Sequence, residues 1–286
     1  MFAALAVLIS LPFWLMILAT EESAGGPPRL YILGLMWAPG LAALSTASMK
    51  RISIASLGWE WRDKRLLAIG YFLPLLYTLT AYLLIWGSGL GGFYDSGFVL
   101  QVETGYGWET LPAWANFGIF VLTQSTFGVL MTMTFALGEE IGWRGFLVPR
   151  LMQRFGFGAT CLISGAMWAV WHYPLVFLGG YGGDGPVFYS AACFTALVMA
   201  LSVVMAWLRL RSASIWPAVI LHASHNLYIQ SVFEPLTEKT GLSRYFVGEF
   251  GLVIPVLVAL PAAYLLKRRA SLSRRQDDRS ARENAR

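Results

Sequence analysis

The chain has 286 residues, of which 57% are hydrophobic and 13% charged, and its 21 basic and 16 acidic residues give a net charge of +5. This charged fraction is about half that of an ordinary soluble domain, so the composition excludes a soluble globular protein and predicts an all-α, polytopic membrane protein. The excess of basic residues follows from membrane orientation and gives little support to nucleic-acid binding.

Eight apolar segments follow one another along the chain. A helix that crosses the hydrocarbon core needs roughly 20 mainly apolar residues. The segments near this length are 2–19, 30–48, 66–85, 117–137, 159–178, 188–208, 215–232 and 246–266. We therefore expect about eight transmembrane helices in one membrane domain, residues 1–266. The first segment lacks a positively charged n-region, so we expect a retained helix and not a signal peptide.

The basic residues are distributed unequally between the two sides of the membrane. With the N-terminus inside, 18 lysines and arginines lie on the inner side and three on the outer side. This bias predicts cytoplasmic termini and an integral protein of the plasma membrane, in contact with the lipid bilayer. The tail, residues 267–286, is basic and poor in large apolar side chains, so we expect it to be disordered and cytoplasmic. The glycine-rich outer stretch 87–115 is expected to be a loop that caps the outer face.

Two adjacent glutamates, Glu139 and Glu140, follow an apolar stretch, residues 116–138, that contains no charged residue. A carboxylate at membrane depth costs at least a few kcal/mol on insertion scales, so this pair indicates a functional site. The chain has three histidines, and all of them lie in other apolar segments: His172, His222 and His225.

The positions of these polar groups along their spans place them at similar depths. In straight helices that rise about 1.5 Å per residue, Glu139 lies about 15 Å and His172 about 22 Å from the inner ends of their spans. On the same basis His222 and Asn226 lie about 14 and 20 Å deep. These depths are near the middle of a hydrocarbon core of about 30 Å, which predicts a polar cavity within the bundle.

Helical geometry separates the roles of the two glutamates. Adjacent helical residues point about 100° apart, so both carboxylates cannot face one cavity squarely. Glu140 and Arg144 are spaced at i,i+4 and can form an ion pair that offsets the cost of both charges. This leaves Glu139 as the freer carboxylate.

The other two spans also present polar pairs at helical spacing. His222 shares a face with Asn226, and His225 lies only slightly further round, so a His222–His225 pair is an open alternative. Trp168 and His172 share a face of the fifth span.

These groups suit the hydrolysis of an amide or ester bond. A carboxylate in an apolar pocket is an effective general base for water. A neighbouring histidine can orient that water, while a histidine and an asparagine on one helical face can donate hydrogen bonds to an oxyanion.

Three short motifs occur in order on successive spans, and together they resemble those of the CAAX-protease and bacteriocin-processing (CPBP, or Abi) family. The family's motifs are EExxxR, an aromatic residue followed by xxxH, and HxxxN or HxxxD. In this chain they are Glu139-Glu140-x-x-x-Arg144, Trp168-x-x-x-His172 and His222-x-x-x-Asn226. The resemblance covers about 117–232, and the chain also resembles the type II CAAX prenyl proteases.

The resemblance implies an eight-helix intramembrane endopeptidase, a family that includes the enzymes removing the last three residues of prenylated CAAX proteins. It implies that Glu139 and His172 activate the water and that His222 and Asn226 form the oxyanion hole. Supporting roles are implied for the remaining motif residues, Glu140, Arg144 and Trp168. The second motif has tryptophan where phenylalanine is commoner. The expected substrate is a peptide or protein, with a lipid-modified chain as one form of it.

Two alternatives stay open at this point. In the first, the same protease depends on zinc, with His172, His222 and Glu139 as ligands and Glu140 as base. The adjacency of the two glutamates makes this arrangement awkward, so we favour no metal and no other cofactor. In the second, the protein is a non-catalytic membrane regulator or a bacteriocin self-immunity protein, and its buried polar groups hold helices together.

Overall fold

A computed structural model describes residues 1–20, 28–108 and 110–268. The helices are α1 (Phe2–Leu18), α2 (Arg29–Met49), α3 (Lys64–Ser88), α4 (Ser96–Tyr106), α5 (Ala113–Thr123), α6 (Val129–Glu140), α7 (Val148–Met152), α8 (Phe157–Leu178), α9 (Val187–Ser212), α10 (Trp216–Asn226), α11 (Ser243–Phe246) and α12 (Val253–Lys267). A 3-10 turn, Ile54–Leu57, precedes α3. Two short strands, β1 (Gly92–Phe93) and β2 (Thr237–Glu238), pair antiparallel with Gly92 opposite Glu238. The predicted all-α membrane fold is confirmed.

Among the residues that the structure describes, five helices are long and apolar enough to cross a membrane. They are Arg29–Met49, Lys64–Ser88, the continuous helix Ala113–Met152, Phe157–Leu178 and Val187–Ser212. The other three predicted segments also form helices, but shorter ones: α1 has 17 residues, α12 has 15, and α10 has 11 before its geometry changes. The eighth span was predicted to start at residue 246, whereas α12 begins only at Val253.

In the described part of the chain, three π-helical turns interrupt the regular α-helical geometry. They are Gln124–Gly128 between α5 and α6, Ile141–Leu147 between α6 and α7, and Leu227–Phe233 directly after α10. Two of them begin immediately after motif residues, the glutamate pair and Asn226. The assumption of straight, regular helices behind the predicted depths is therefore wrong for the fourth and seventh spans. Such turns are frequent at functional sites because they redirect side chains.

The helix α9 lies at the centre of the bundle. Of its most apolar window, 72% is buried, against 17% for that of the 40-residue helix Ala113–Met152. It packs against α8, α10 and α12. The helix α2 packs on α6, and there Gly40 meets Gly138, where a Cβ on Gly40 would lie 2.5 Å from the carbonyl oxygen of Gly138. This close approach fixes the backbone directly before the glutamate pair.

Two sequence expectations fall on segments outside the bundle. The outer stretch 87–115 was expected to be a loop, but it contains β1 and the helix α4, whose N-terminus is capped by Asp95 accepting from the Phe98 amide at 2.8 Å. The asparagine Asn116 ties the next helix to this segment by donating to the Trp108 carbonyl at 3.1 Å. The predicted disordered tail lies outside the described residues beyond Arg268.

Candidate active site

The structure brings the four predicted catalytic residues to one cavity of about 340 Å³. Glu139 reaches it from α6, His172 from α8, and His222 and Asn226 from α10. Trp168 also lines it, whereas Glu140 and Arg144 lie behind the wall. The apolar part of the lining comes from α1, α2, α8 and α9: Ile17, Ile32, Leu35, Met36, Trp171, Leu175, Phe194, Leu197, Val198 and Leu201.

The two oxygens of the Glu139 carboxylate have different surroundings. The oxygen Oε2 accepts hydrogen bonds from the indole Nε1 of Trp168 at 2.6 Å and of Trp143 at 3.3 Å. The oxygen Oε1 accepts none within the described part of the chain. The side chain is 1% exposed. Two indoles thus fix the carboxylate through one oxygen and leave the other available to a molecule in the cavity.

The imidazole of His172 has a defined tautomer. Its Nδ1 lies 2.8 Å from the Trp168 carbonyl oxygen. Because a carbonyl can only accept, Nδ1 carries the proton and Nε2 is left as an acceptor. The ring packs among the aromatic rings of Trp171, Phe194 and Tyr181, with centroids 4.8, 5.0 and 6.2 Å away. These contacts fix the ring orientation in the cavity wall.

The second glutamate, Glu140, contacts both Arg144 and His222. Its Oε1 accepts from Arg144 Nη1 and from His222 Nδ1, both at 2.9 Å. All three side chains are buried. The Arg144 guanidinium also lies over the Trp168 ring at 4.1 Å and donates to Ser202 Oγ at 3.4 Å. The Glu140–Arg144 ion pair that the i,i+4 spacing predicts is present. The contact between Glu140 and His222 could not be predicted from the spacing.

The two histidines of α10 contact different carboxylates. His222 bonds to Glu140, whereas His225 Nε2 lies 3.3 Å from Glu249 Oε1 and His225 Nδ1 lies 2.6 Å from the Tyr77 hydroxyl. Both line the cavity. The side chain of Asn226 makes no hydrogen bond to the described residues, so its amide is available as a donor.

Sequence reasoning missed Glu249 as a component of this cavity. Its carboxylate is buried and accepts from the Tyr181 hydroxyl at 2.9 Å and from Gln230 Nε2 at 3.1 Å, besides its contact with His225. The available signal was the one that singled out Glu139, a carboxylate inside a predicted apolar span. Its position between α11 and α12, in a connection that folds back to the cavity, is visible only in three dimensions.

The residues proposed as zinc ligands do not form a compact metal cluster. Within residues 1–20, 28–108 and 110–268, no group of three His, Cys, Asp or Glu side chains lies close enough to hold a metal ion. The Nδ1 atoms of His172 and His222 are occupied by hydrogen bonds, which leaves one nitrogen on each ring. The two cysteines, Cys161 and Cys193, are free thiols buried in α8 and α9.

Comparison with known proteins shows a similarity over the segment that carries these motifs. Residues 113–228 match a family model described as type II CAAX prenyl endopeptidase Rce1-like, a range that contains all seven motif residues. The matched range, which is less than half of the chain, is similar to this family of CAAX proteases. A relative in this family, CAAX prenyl protease 2 of Methanococcus maripaludis, is 29% identical over 105 residues. That match covers 35% of this chain and 38% of the relative. Glu249 and Gln230 lie beyond the segment matched by the CAAX protease family model.

Proposed function

We propose that this protein is a member of the CAAX protease family and an intramembrane endopeptidase in which Glu139 activates a water molecule. The observation that carries the proposal is the asymmetric Glu139 carboxylate, held through Oε2 by two indoles. Its Oε1 is left as the base, in a cavity shared with the His172 imidazole. The His172 Nε2, being an acceptor, can hold the second proton of the same water and so orient it.

The proposed reaction has two steps. In the first, the water oxygen bonds to the peptide carbonyl carbon, its proton passes to Glu139 Oε1, and the carbonyl π electrons move to the oxygen. In the second, the carbonyl re-forms, the carbon–nitrogen bond breaks, and the proton on Glu139 passes to the leaving amine. In this proposal the amide of Asn226 and the ring of His222 donate hydrogen bonds to the oxyanion between the steps.

The proposed role of His222 sets its charge. Its Nδ1 faces the Glu140 carboxylate, which can only accept, so Nδ1 carries a proton. To donate to an oxyanion through Nε2 as well, the ring must be an imidazolium. Glu140 stabilises that cation, and the role proposed for Glu140 is therefore to hold His222 charged and in position.

For the substrate we propose a peptide or protein, with C-terminal processing of a prenylated CAAX sequence as the first candidate. The support is the family description and the name of the Methanococcus maripaludis relative. The largely apolar cavity wall is compatible with a substrate that carries a lipid or apolar side chains.

We propose that the reaction needs no metal. The hydrogen bonds that occupy His172 Nδ1 and His222 Nδ1, and the Arg144 charge beside Glu140, favour acid–base chemistry by side chains over a zinc centre. The alternative is tested by metal analysis of purified active protein. Stoichiometric zinc, with loss of activity on chelation and recovery on adding zinc, would replace the metal-free mechanism.

The decisive experiment is cleavage of a panel of prenylated and unprenylated peptides by purified protein and its Glu139→Gln variant. Loss of a general base reduces rates by roughly 10²- to 10⁴-fold, and we expect such a loss with an unchanged melting temperature. The matched control is Glu60→Gln, because the Glu60 side chain is 67% exposed on a surface loop. Equal cleavage by wild type and Glu139→Gln would contradict the mechanism.

The regulatory or self-immunity alternative makes a separable prediction. In that case the protein acts by binding, and a cellular phenotype survives Glu139→Gln while the variant remains in the membrane. Under the protease proposal the phenotype is lost with the carboxylate.

A further inference from the structure

We propose that Glu249 is a positioning residue for the active site, one that holds His172 through Tyr181 and Asn226 through His225. The inference deepens the proposed function and rests on it for the catalytic roles of His172 and Asn226. The link itself consists of contacts that can be tested without a substrate. Glu249 lies outside the three motifs and beyond the segment matched by the family model.

The Glu249 carboxylate is held by side chains from two other parts of the chain. Its Oε2 accepts from the Tyr181 hydroxyl at 2.9 Å, and its Oε1 accepts from Gln230 Nε2 at 3.1 Å. His225 Nε2 lies 3.3 Å from the same Oε1. The residue is 4% exposed, and burying a carboxylate is costly unless such partners surround it. Both oxygens are therefore engaged, which suits a role in holding neighbours and not in proton transfer.

The backbone around Glu249 forms a closed turn. The Leu252 amide donates to the Tyr245 carbonyl at 3.0 Å. Within the turn, the Gly251 amide donates to the Gly248 carbonyl at 3.3 Å. Gly248 has a φ of +75°, a left-handed conformation that glycine adopts without steric cost. The turn thus gives the carboxylate a fixed place to which its partners bind.

The first link runs from this turn to the His172 ring. Tyr181 stacks on His172 with the ring centroids 6.2 Å and the ring planes 26° apart. Phe250, the residue after Glu249, packs edge-on against Tyr181 at 5.0 Å and stacks on Phe194 at 5.2 Å. Phe194 in turn packs against His172 at 5.0 Å. Two successive residues of one turn therefore hold two of the rings that orient His172.

The direction of His172 Nε2 depends on this packing. The hydrogen bond from Nδ1 to the Trp168 carbonyl fixes one edge of the ring, and the ring can still tilt about it. Small misplacements of a reacting group lower a rate strongly, because the geometry of attack is lost. The rings held by Glu249 and Phe250 therefore bear directly on how His172 orients the water.

The second link runs through α10 to Asn226. His225 precedes Asn226, and its ring lies between Glu249 and the Tyr77 hydroxyl, which is 2.6 Å from Nδ1. Gln230, another partner of Glu249, lies four residues after Asn226 in the π turn that follows α10. Glu249 thus holds this segment on both sides of Asn226, at the point where the helical geometry changes. These contacts fix the direction of the Asn226 amide.

Histidine spectra test the link without a substrate. The chain has three histidines, so the ring resonances of protein labelled with isotopic histidine can be assigned from single His→Gln variants. We expect Glu249→Gln to shift the resonances of His172 and His225. Those of His222, which contacts Glu140, should stay unchanged. Unchanged His172 resonances would overturn the inference, whatever happens at His225.

Tyr181→Phe is the milder variant, because it keeps a ring on His172 and removes only the hydroxyl that donates to Glu249. We expect it to shift the His172 resonances as well. The matched control is Tyr189→Phe, which removes a hydroxyl donating to the Tyr245 carbonyl at 2.5 Å, outside the cavity lining. It should change none of the three rings. An equal response of His172 to both tyrosine variants would overturn the inference.

The kinetic test uses a peptide that the purified protein cleaves. A positioning residue acts on kcat, because a misplaced catalytic group loses contacts of the transition state while substrate binding is kept. We expect kcat to fall roughly 10-fold in Glu249→Gln and in Tyr181→Phe, with KM nearly unchanged. Tyr189→Phe should keep the wild-type kcat. A higher KM with unchanged kcat would mean that Glu249 contacts the substrate and would overturn the positioning role.

The double variant Glu249→Gln, Tyr181→Phe tests whether the two residues act together. It should be about as slow as Glu249→Gln alone, because both changes break the same contact. Losses that multiply in the double variant would show two independent effects and would overturn the link.

The spectra and the kinetics separate this inference from the proposed function. If Glu139→Gln cleaves as fast as the wild type, the proposed mechanism fails, while the histidine resonances still decide whether Glu249 holds His172. If Glu139→Gln is inactive but the His172 resonances stay unchanged in Glu249→Gln and Tyr181→Phe, the endopeptidase proposal stands and the positioning role is overturned.

Discussion

The indole Nε1 of Trp168 donates to Glu139 Oε2 across 2.6 Å. The carbonyl of the same tryptophan accepts from His172 Nδ1 at 2.8 Å. One residue therefore positions both the proposed base and its partner, through the side chain on one and the backbone on the other. The phenylalanine that is commoner at this place in the family's motif would keep the backbone contact and lose the indole donor.

Trp168→Phe isolates the contribution of this donor. A hydrogen bond to a charged group contributes about 1.5–3 kcal/mol, so we expect kcat to fall by roughly 10- to 100-fold with little change in KM. The control is Trp61→Phe, at a tryptophan 59% exposed. A lowered melting temperature together with the reduced activity would indicate a packing defect instead.

Much of the fold and the site could be predicted because two signals are local in sequence. Hydrophobic length located the helices, and i,i+4 spacing located the Glu140–Arg144 pair and the shared face of His222 and Asn226. Both signals depend only on helix geometry and on the cost of burying charge.

The remainder depends on tertiary contacts. No residue pattern marked the π turn after Glu140 or that after Asn226, because such turns are stabilised by their surroundings, such as Arg209 donating to the Arg144 carbonyl. The role of Glu249 also escaped prediction, since its partners Tyr181, Gln230 and His225 come from distant parts of the chain. The helix α4 was hidden in a glycine-rich stretch whose composition favoured a loop.

Arg144→Met should destabilise the fold. It leaves Glu140 buried with one charged partner fewer, and breaking a buried pair from one side typically costs about 3–5 kcal/mol. We expect a lower melting temperature in detergent. The double variant Glu140→Gln, Arg144→Met should recover part of the loss, because no unpaired charge remains. A single variant as stable as the wild type would mean that the pair contributes little to folding.

Glu140→Gln should make the positively charged form of His222 less stable. The amide cannot stabilise an imidazolium as the carboxylate does, so we expect the alkaline limb of the pH–rate profile to move to lower pH. Activity should be lost first at high pH and be retained best at low pH. The comparison variant is Glu249→Gln, which changes a carboxylate of the same cavity that contacts His225 and not His222. An alkaline limb shifted equally by both variants would contradict a specific role for Glu140.

The carboxylate of Glu234 should make the stability of the folded protein depend on pH. It follows the π turn Leu227–Phe233, outside the spanning helices, and is partly buried. Burial, reinforced by the negative charge of Glu249, raises the pKa of Glu234 from 4.5 to about 7, although Lys239 opposes the shift. Between pH 4.5 and about 7, Glu234 is therefore protonated in the folded state and ionised in the unfolded state.

Stability should consequently fall as the pH rises from about 5 to about 8, because the folded state binds more protons than the unfolded chain over this range. We expect the melting temperature of the wild type to decrease across the range, and that of Glu234→Gln to decrease less. Glu60→Gln, at an exposed carboxylate, should keep the wild-type slope. If Glu234→Gln and the wild type lose stability in parallel, another group is responsible and the protonated state assigned to Glu234 is wrong.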